Sequence, residues 1–462
     1  GQSLFELGFP IEAETILAAA LPRIAEDQAE LRPRAHALRA AIARELGQFE
    51  RMAEQREAQG RLLSSEATQA AFQFETALDA LRRDGRGSAA AARALREARR
   101  RAAGSDWLTG QRASLYLCYL DMADRACDGS GARAYHRALQ ASGLPAVEVD
   151  AGLVWVRYLA RQGQRGEARR AAAELLDRVQ VYRQFLPGVI ESWFASHRGA
   201  LYQAALDLAR AASAQDLLLM LDRVRSLERT RGDRAAPEDD VRGLLARVQA
   251  AQPAPGDTLS RQSAAVLDDF VASRVPPAGA GDGDRLTRAL DALGAGELLL
   301  AYHFSGDELY AVTATRSGVK INRLEAADRV RSALERLREN LADPAAEVSG
   351  AALARLGRWL LDPVLPGRET TVYLMPAGPL NGFPLDALRL DGAYAAERHR
   401  FVNIDGLDDP KMAEHVPDAL KGTTLGVSEL ADVVVKNGYV TTSPNFRTIV
   451  NQALIKNTDR FR

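Results

Sequence analysis

The hydrophobic period changes partway along this chain, and that change constrains the fold more than any other feature. Up to about residue 250 the apolar residues recur at helical spacing, in a background dominated by Ala, Leu, Arg and Glu, all of which favour helix. Beyond Pro276-Pro277-Ala278-Gly279-Ala280-Gly281-Asp282-Gly283-Asp284, short runs of strand formers broken by glycine-centred turns take over. The chain must therefore bury amphipathic helices against one another and, further on, a sheet against helices. At 462 residues it is too long for one ordinary core, and about two to four domains are expected. The Pro/Gly-rich breaks at 251–257 and 276–284 place a helical region at 1–250, a linker with a short helix at 251–284 and an α/β region at 285–403. Lysine marks a further segment. Residues 1–400 hold one, Lys320, whereas Lys411, Lys421, Lys436 and Lys456 crowd the remainder, so 411–462 reads as a separate module joined near 403–412.

Two places in the helical region share a spacing. Gly8, Glu12, Ala13, Leu17 and Ala20 are matched, far along the chain, by Gly163, Glu167, Ala168, Ala172 and Leu175. A small residue at the helix–helix turn, then alanine where two helices touch, lets paired helices pack closely. The pattern resembles the tetratricopeptide repeat, whose period is about 34 residues. A non-repeating bundle built from the same amphipathic helices is the other arrangement open at this point. The resemblance implies an α-solenoid whose concave surface takes a protein or peptide partner.

In the α/β region Glu297–Phe304 reads as a strand, Ser305-Gly306-Asp307 as a turn and Leu309–Ala314 as a second strand. Arg316-Ser317-Gly318 turns again, and Val319-Lys320-Ile321 begins a third. Val330, Ala333, Leu334 and Leu337 fall on one face of a helix. Leu353, Leu356, Trp359 and Leu360 form a looser stripe that Pro363 and Pro366 end. Thr371–Met375 is then an apolar strand running into Pro376-Ala377-Gly378-Pro379-Leu380-Asn381-Gly382-Phe383-Pro384-Leu385-Asp386-Ala387-Leu388, a tight loop. This order, with its Pro-x-Gly-Pro-Leu-x-x-x-Pro core, resembles the N-terminal part of the CHAT domain, a caspase-like family attached to tetratricopeptide repeats. Asp216–Arg229, a strong helix, resembles the repeat helix that precedes such domains. The resemblance covers about residues 290–403. It makes Thr371–Met375 the first core strand of the sheet, with an unpaired edge and an uncovered apolar face. Residues 371–388 are then expected to be poorly ordered, or covered by the helical region or the tail.

In the tail, Ser428 can cap a helix over Glu429–Lys436 that Asn437-Gly438 stops. Thr442-Ser443-Pro444 caps the next, whose apolar face is Phe446, Ile449, Val450, Ala453 and Leu454. Residues 436–454 resemble a winged helix-turn-helix of the HARE-HTH type, reaching only the start of the wing. The outer face of the second helix, Asn445, Arg447, Thr448, Asn451 and Gln452, then supplies candidate nucleic-acid contacts, since Asn and Gln can read adenine and Arg guanine or phosphate. Over 405–462 eight acids stand against seven bases, so the electrostatic pull on DNA is weak. A protein-contact module is the other reading. The fold class expected overall is mainly α: a tetratricopeptide-like solenoid, a partial caspase-like α/β domain and a small winged-helix-like tail.

A caspase-like peptidase needs a thiolate and an imidazole about one hydrogen bond apart. In the CHAT family the histidine sits in a His-Gly pair and the cysteine ends an apolar strand. None of His36, His136, His197, His303, His399 and His415 precedes glycine, and Cys118 and Cys127 lie in the helical region. Both cysteines read as buried structural residues, unlinked in a reducing cytoplasm. His303 reads as a strand histidine and His399 as part of a solvated charge run. No catalytic residue is assigned, and no Cys/His spacing suits a metal. Gly279, Gly281 and Gly283 follow no strand and precede no lysine, so they read as linker and no cofactor is expected. A net charge of −1 argues against general attraction to nucleic acid or membrane, and no apolar run approaches the roughly 20 residues that span a bilayer. Three functions follow: a protein-binding scaffold with an inactive CHAT-like appendage, a CHAT-type cysteine endopeptidase whose catalytic half lies outside this chain, and a DNA-binding regulator acting through 411–462.

Overall fold

Serine and aspartate set where several helices begin. Ser65 accepts from the Thr68 amide, Ser88 from Ala91, Asp106 from Thr109 and Ser213 from Asp216, each satisfying an N–H that a helix start leaves open. The computed structural model describes residues 10–25, 28, 30–120, 127, 129–185, 187–229, 247, 261–275, 281–342, 349–365, 370–376, 378–404 and 406–409. They are mainly helical, with fifteen helices and a five-stranded mixed sheet late in the chain. No helix among them is long and apolar enough to cross a membrane. They divide into two compact units, Gly1–Leu208 with Leu227–Gly279 and Ala209–Ser226 with Ala280–Arg462.

The first unit is built from α1 (Pro10–Ala20), α2 (Leu31–Glu45), α3 (Phe49–Gly60), α4 (Glu66–Asp84), α5 (Ala89–Ala102), α6 (Trp107–Leu120), α7 (Gly129–Gln140), α8 (Pro145–Arg161), α9 (Arg165–Phe185), most of α10 (Pro187–Arg210) and α12 (Arg261–Ala272). From α1 to α9 neighbours in sequence are neighbours in space, and α4 also touches α6, as α6 touches α8. Alanine makes the close approaches possible: Ala77, Ala98 and Ala113 are fully buried in one cluster with Phe74, Leu95 and Leu115. The second copy of the repeat spacing behaves as its residue types demand. Gly163 takes φ +76°, which favours glycine, and Ala168, Ala172 and Leu175 are buried. Of the first copy Ala13 is buried, Leu17 is half-buried, Ala20 is exposed, and Gly8 lies outside the described residues.

Buried ion networks tie these helices together. Arg56 on α3 bonds Asp79 on α4 at 2.6 Å, and Arg44 reaches the same carboxylate at 3.0 Å. Tyr116 on α6 donates to Asp150 on α8 at 2.9 Å, with Arg112 alongside at 3.3 Å. Glu148 on α8 takes both Arg178 and Tyr182 of α9, and Arg178 also reaches Asp268 on α12 at 2.7 Å. Burial pushes the Glu148 carboxyl up despite the opposing pull of Arg178 and Tyr182.

His136 on α7 is buried flat against Trp155, ring centroids 5.1 Å apart, and its Nε2 finds no hydrogen-bond partner among the described residues. Burial, then the nearby Arg178 and Arg137, lowers its pKa to about 3. The native state therefore resists a proton that the unfolded chain accepts near 6.5. Stability is full above that value and falls by about 1.4 kcal/mol per pH unit as pH drops toward 3. Unfolding free energies at pH 7 and at two units lower are expected to differ by about 2 kcal/mol more in the native sequence than in His136→Phe. Equal slopes would show that the native state takes up this proton as readily as the unfolded chain.

The second unit is built on the sheet β3-β2-β1-β4-β7, with β1 Glu297–Ser305, β2 Glu308–Thr315, β3 Gly318–Arg323, β4 Thr370–Met375 and β7 His399–Asn403. The first three strands form an antiparallel meander, while β1, β4 and β7 run parallel. A small ribbon, β5 (Arg389–Leu390) with β6 (Ala393–Tyr394), lies between β4 and β7 in sequence. The helices are α11 (Ala214–Arg229, through Ser226), α13 (Asp282–Ala292), α14 (Ala327–Ala342) and α15 (Gly350–Leu360). Leu300, Tyr302, Leu309 and Ala311 face Val330, Leu334, Leu337, Leu356 and Leu360 in one core. Leu299, Ala301, Val312 and Ala314, on the other face, are buried as well, which is why these strands read as continuous apolar runs.

The order meander, helix, helix, strand is the one the sequence predicts, but three expectations need correction. The strand at 370–375 is neither an edge nor uncovered: Leu298–Ala301 of β1 pair with it on one side and His399–Asn403 on the other. The strand-forming character of Phe401-Val402 was masked by the arginines around it. Asp282–Asp284 open α13 instead of belonging to the linker. Two aspartates suit a helix N-terminus, and Asp282 takes Arg223 at 2.9 Å. The helix from 214, expected to close the repeats, falls largely with the sheet, where Asp222 accepts from Arg285 and from the Leu407 amide.

Candidate functional site

Parallel strands that share one direction end together, and in open α/β sheets ligands bind outside those carboxyl ends, where neighbouring strands connect in opposite directions. Here that point lies between β1 and β4: the chain leaves β1 toward β2 on one side and leaves β4 toward β7 on the other. The loop that the sequence marks as most distinctive sits at this end. Gly378 (φ +52°) and Gly382 (φ +69°) make its two sharp turns. Leu380, Phe383, Leu385 and Leu388 anchor it in the core, leaving Asn381 and Gly382 exposed.

Two guanidiniums hold the loop's backbone. Arg225 on α11 donates to the Pro376 carbonyl at 2.9 Å and to Asn381 Oδ1 at 3.0 Å. Arg338 on α14 donates to the carbonyls of Pro379 at 2.6 Å and Asn381 at 3.0 Å. Two turns back along α14, Arg331 lies over the Phe304 ring at 5.2 Å, close to the end of β1. Asp386 is half-buried, and burial raises its pKa against the pull of its own and the Ala387 amides. The arrangement fixes shape and presents cations; it carries no sulfur.

The histidines of the sheet are packed, not poised. His303 on β1 is buried and stacks on Tyr310 of β2, centroids 6.4 Å apart. His399, expected in a solvated run, is buried at the start of β7 and meets Phe401 edge-on, while Arg400 between them points to solvent. Strand alternation turns one residue of that charged run inward. Cys118 and Cys127 are buried as expected, but they are bonded to one another, Cα atoms 4.8 Å apart, which corrects the expectation of unlinked thiols. A spacing of nine residues gave no hint of it; the end of α6 and the residue ahead of α7 meet against Trp155 and Tyr158. No cluster of His, Cys, Asp and Glu among the described residues could hold a metal. The candidate nucleic-acid contacts Asn445, Arg447, Thr448, Asn451 and Gln452, with the whole 411–462 segment, lie outside the described residues.

The first unit carries a separate cavity of about 440 Å³ between α6, α8 and α10, with Arg86 at its rim. Val156, Ala160, Ala200, Ala204 and Leu208 make its apolar walls, and Arg157, Arg161, Gln203 and Asp207 its polar ones. Neither this groove nor the arginines at 225 and 338 stood out in the sequence, because arginine is common along the whole helical region and only packing decides which ones converge. Neither a protein-family model nor a curated protein matches this chain.

Proposed function

We propose that this chain is a protein-binding scaffold of the tetratricopeptide–CHAT type, in which the helical unit recognises a partner and the α/β unit is a caspase-like appendage without peptidase activity of its own. The observation that carries this reading is the pairing of sulfurs. The chain has two cysteines, and they are bonded to one another in the interior of the helical unit. A caspase-type mechanism therefore has no thiolate here, and the imidazoles of His303 and His399 are packed against aromatic rings. The meander, two helices and parallel strands support the CHAT-like reading of the second unit. The sequential packing of α1 to α9, and partners such as Tyr116–Asp150 and Tyr182–Glu148 that both stand 34 residues apart, support the repeat reading of the first.

The native chain in non-reducing buffer is expected to leave an electrophilic cysteine probe unreacted and to cleave no peptide after basic or acidic residues. Mass spectrometry of the probe-treated protein and a fluorogenic peptide panel check this. Stoichiometric labelling together with probe-blocked cleavage would overturn it. Chemical cross-linking to a co-purified protein, mapped onto residues 31–208, tests the recognition half.

A further inference from the structure

The groove between α6, α8 and α10 holds a charge that the fold leaves unanswered. Arg157 and Arg161 stand one turn apart on α8 and both line it. Like charges at that spacing disfavour a helix. Arg161 is compensated, since it donates to the Tyr119 and Leu120 carbonyls at the end of α6, where the helix dipole is negative. Arg157 is half-buried and forms no ion pair with a carboxylate among the described residues. Arg39, Arg44, Arg56, Arg112 and Arg178, buried or half-buried in the same unit, each meet one. Arg86 reaches the rim from the turn after α4, exposed and likewise without a carboxylate. Among the described residues that line it, three guanidiniums stand against the single carboxylate of Asp207, over walls of Val156, Ala160, Ala204 and Leu208, and leave the groove cationic with an apolar floor.

We infer that this groove binds an acidic peptide segment of a partner protein, with carboxylates on Arg86 and Arg157 and an aliphatic side chain on the floor between them. The inference rests on the scaffold reading and names the chemistry of its partner. A peptide fits better than a nucleic acid. The floor is aliphatic and offers one aromatic ring, Tyr119, where base stacking asks for a series, and Asp207 would repel a phosphate backbone. Carboxylate–guanidinium pairing supplies orientation, and the small side chains of Ala160, Ala200 and Ala204 leave room for a leucine-sized group.

The test is fluorescence anisotropy of the full chain with a labelled peptide of glutamates interspersed with leucine, against the same peptide with glutamine at each glutamate. The acidic peptide is expected to bind about tenfold or more tightly than its glutamine form, and Arg157→Glu to remove that preference. Arg86→Glu lies on an exposed turn and leaves the core untouched, so its expected loss of about tenfold reads the groove even where the Arg157 variant folds poorly. Equal binding of the two peptides, no response to either reversal, or stronger binding of a single-stranded oligonucleotide than of the acidic peptide would overturn the inference. Cross-linking of a partner to residues 31–208 that survives both reversals would sink the groove assignment while leaving the scaffold reading intact. Loss of both the peptide preference and all partner cross-links in the native sequence would sink the two together.

Discussion

Gly357→Ala is expected to destabilise the α/β unit by about 3 kcal/mol or more. Gly357 lies on α15 where that helix crosses β5. A methyl group there would sit 2.1 Å from the Arg389 carbonyl oxygen and 3.0 Å from its carbon. The obstacle is backbone at the start of a strand, so no rotamer change relieves it. α15 must instead lift away from β5 and from Leu356 and Leu360, which are buried in the core. Urea denaturation followed by circular dichroism measures the loss. Gly152→Ala is the natural control, because its methyl would meet only the tip of Leu175, with Cδ1 at 2.7 Å, and a rotatable side chain can yield. Gly152→Ala is expected to cost about 1 kcal/mol. Equal, small effects at the two sites would mean that α15 is not held against the ribbon.

Removing one member of the Glu148–Arg178–Tyr182 network should be at least as severe. Arg178→Met leaves the buried Glu148 without its cation, and breaking a buried pair in this way costs about 3–5 kcal/mol. Replacing both partners, as in Glu148→Met with Arg178→Met, removes the desolvated charges together and is expected to recover most of that loss. A double variant no more stable than the single one would show that the network acts through packing and the Asp268 contact, not through the Glu148 charge.

Much of the architecture was legible because local signals agreed with tertiary demand. The hairpins at 305–307 and 316–318, the stripes Val330–Leu337 and Leu353–Leu360 and the strand at 371 each carry their own periodicity or turn residues, and each became the expected element. The misses share one physical cause: partners far apart in sequence. His399 and Phe401 look like an exposed basic run until β4 supplies five register partners. Asp282 looks like linker until Arg223, fifty-nine residues away, reaches it. The disulfide depends on where α6 ends relative to α7. Of the candidate sites, the loop at 376–388 was conspicuous, but the arginines that hold it and the three that line the groove were not. Guanidinium chemistry is decided by what converges on it, and a single sequence does not display convergence.

The loop held by Arg225 and Arg338 has a consequence for any visitor to that end of the sheet. The outward oxygens of Pro376, Pro379 and Asn381 are already spoken for from within the molecule. A guest that sought to latch onto this backbone would first have to evict a charged occupant, at about 1.5–3 kcal/mol for each bond broken. At these three oxygens the turn is in effect sealed from inside, which lends rigidity to its surroundings.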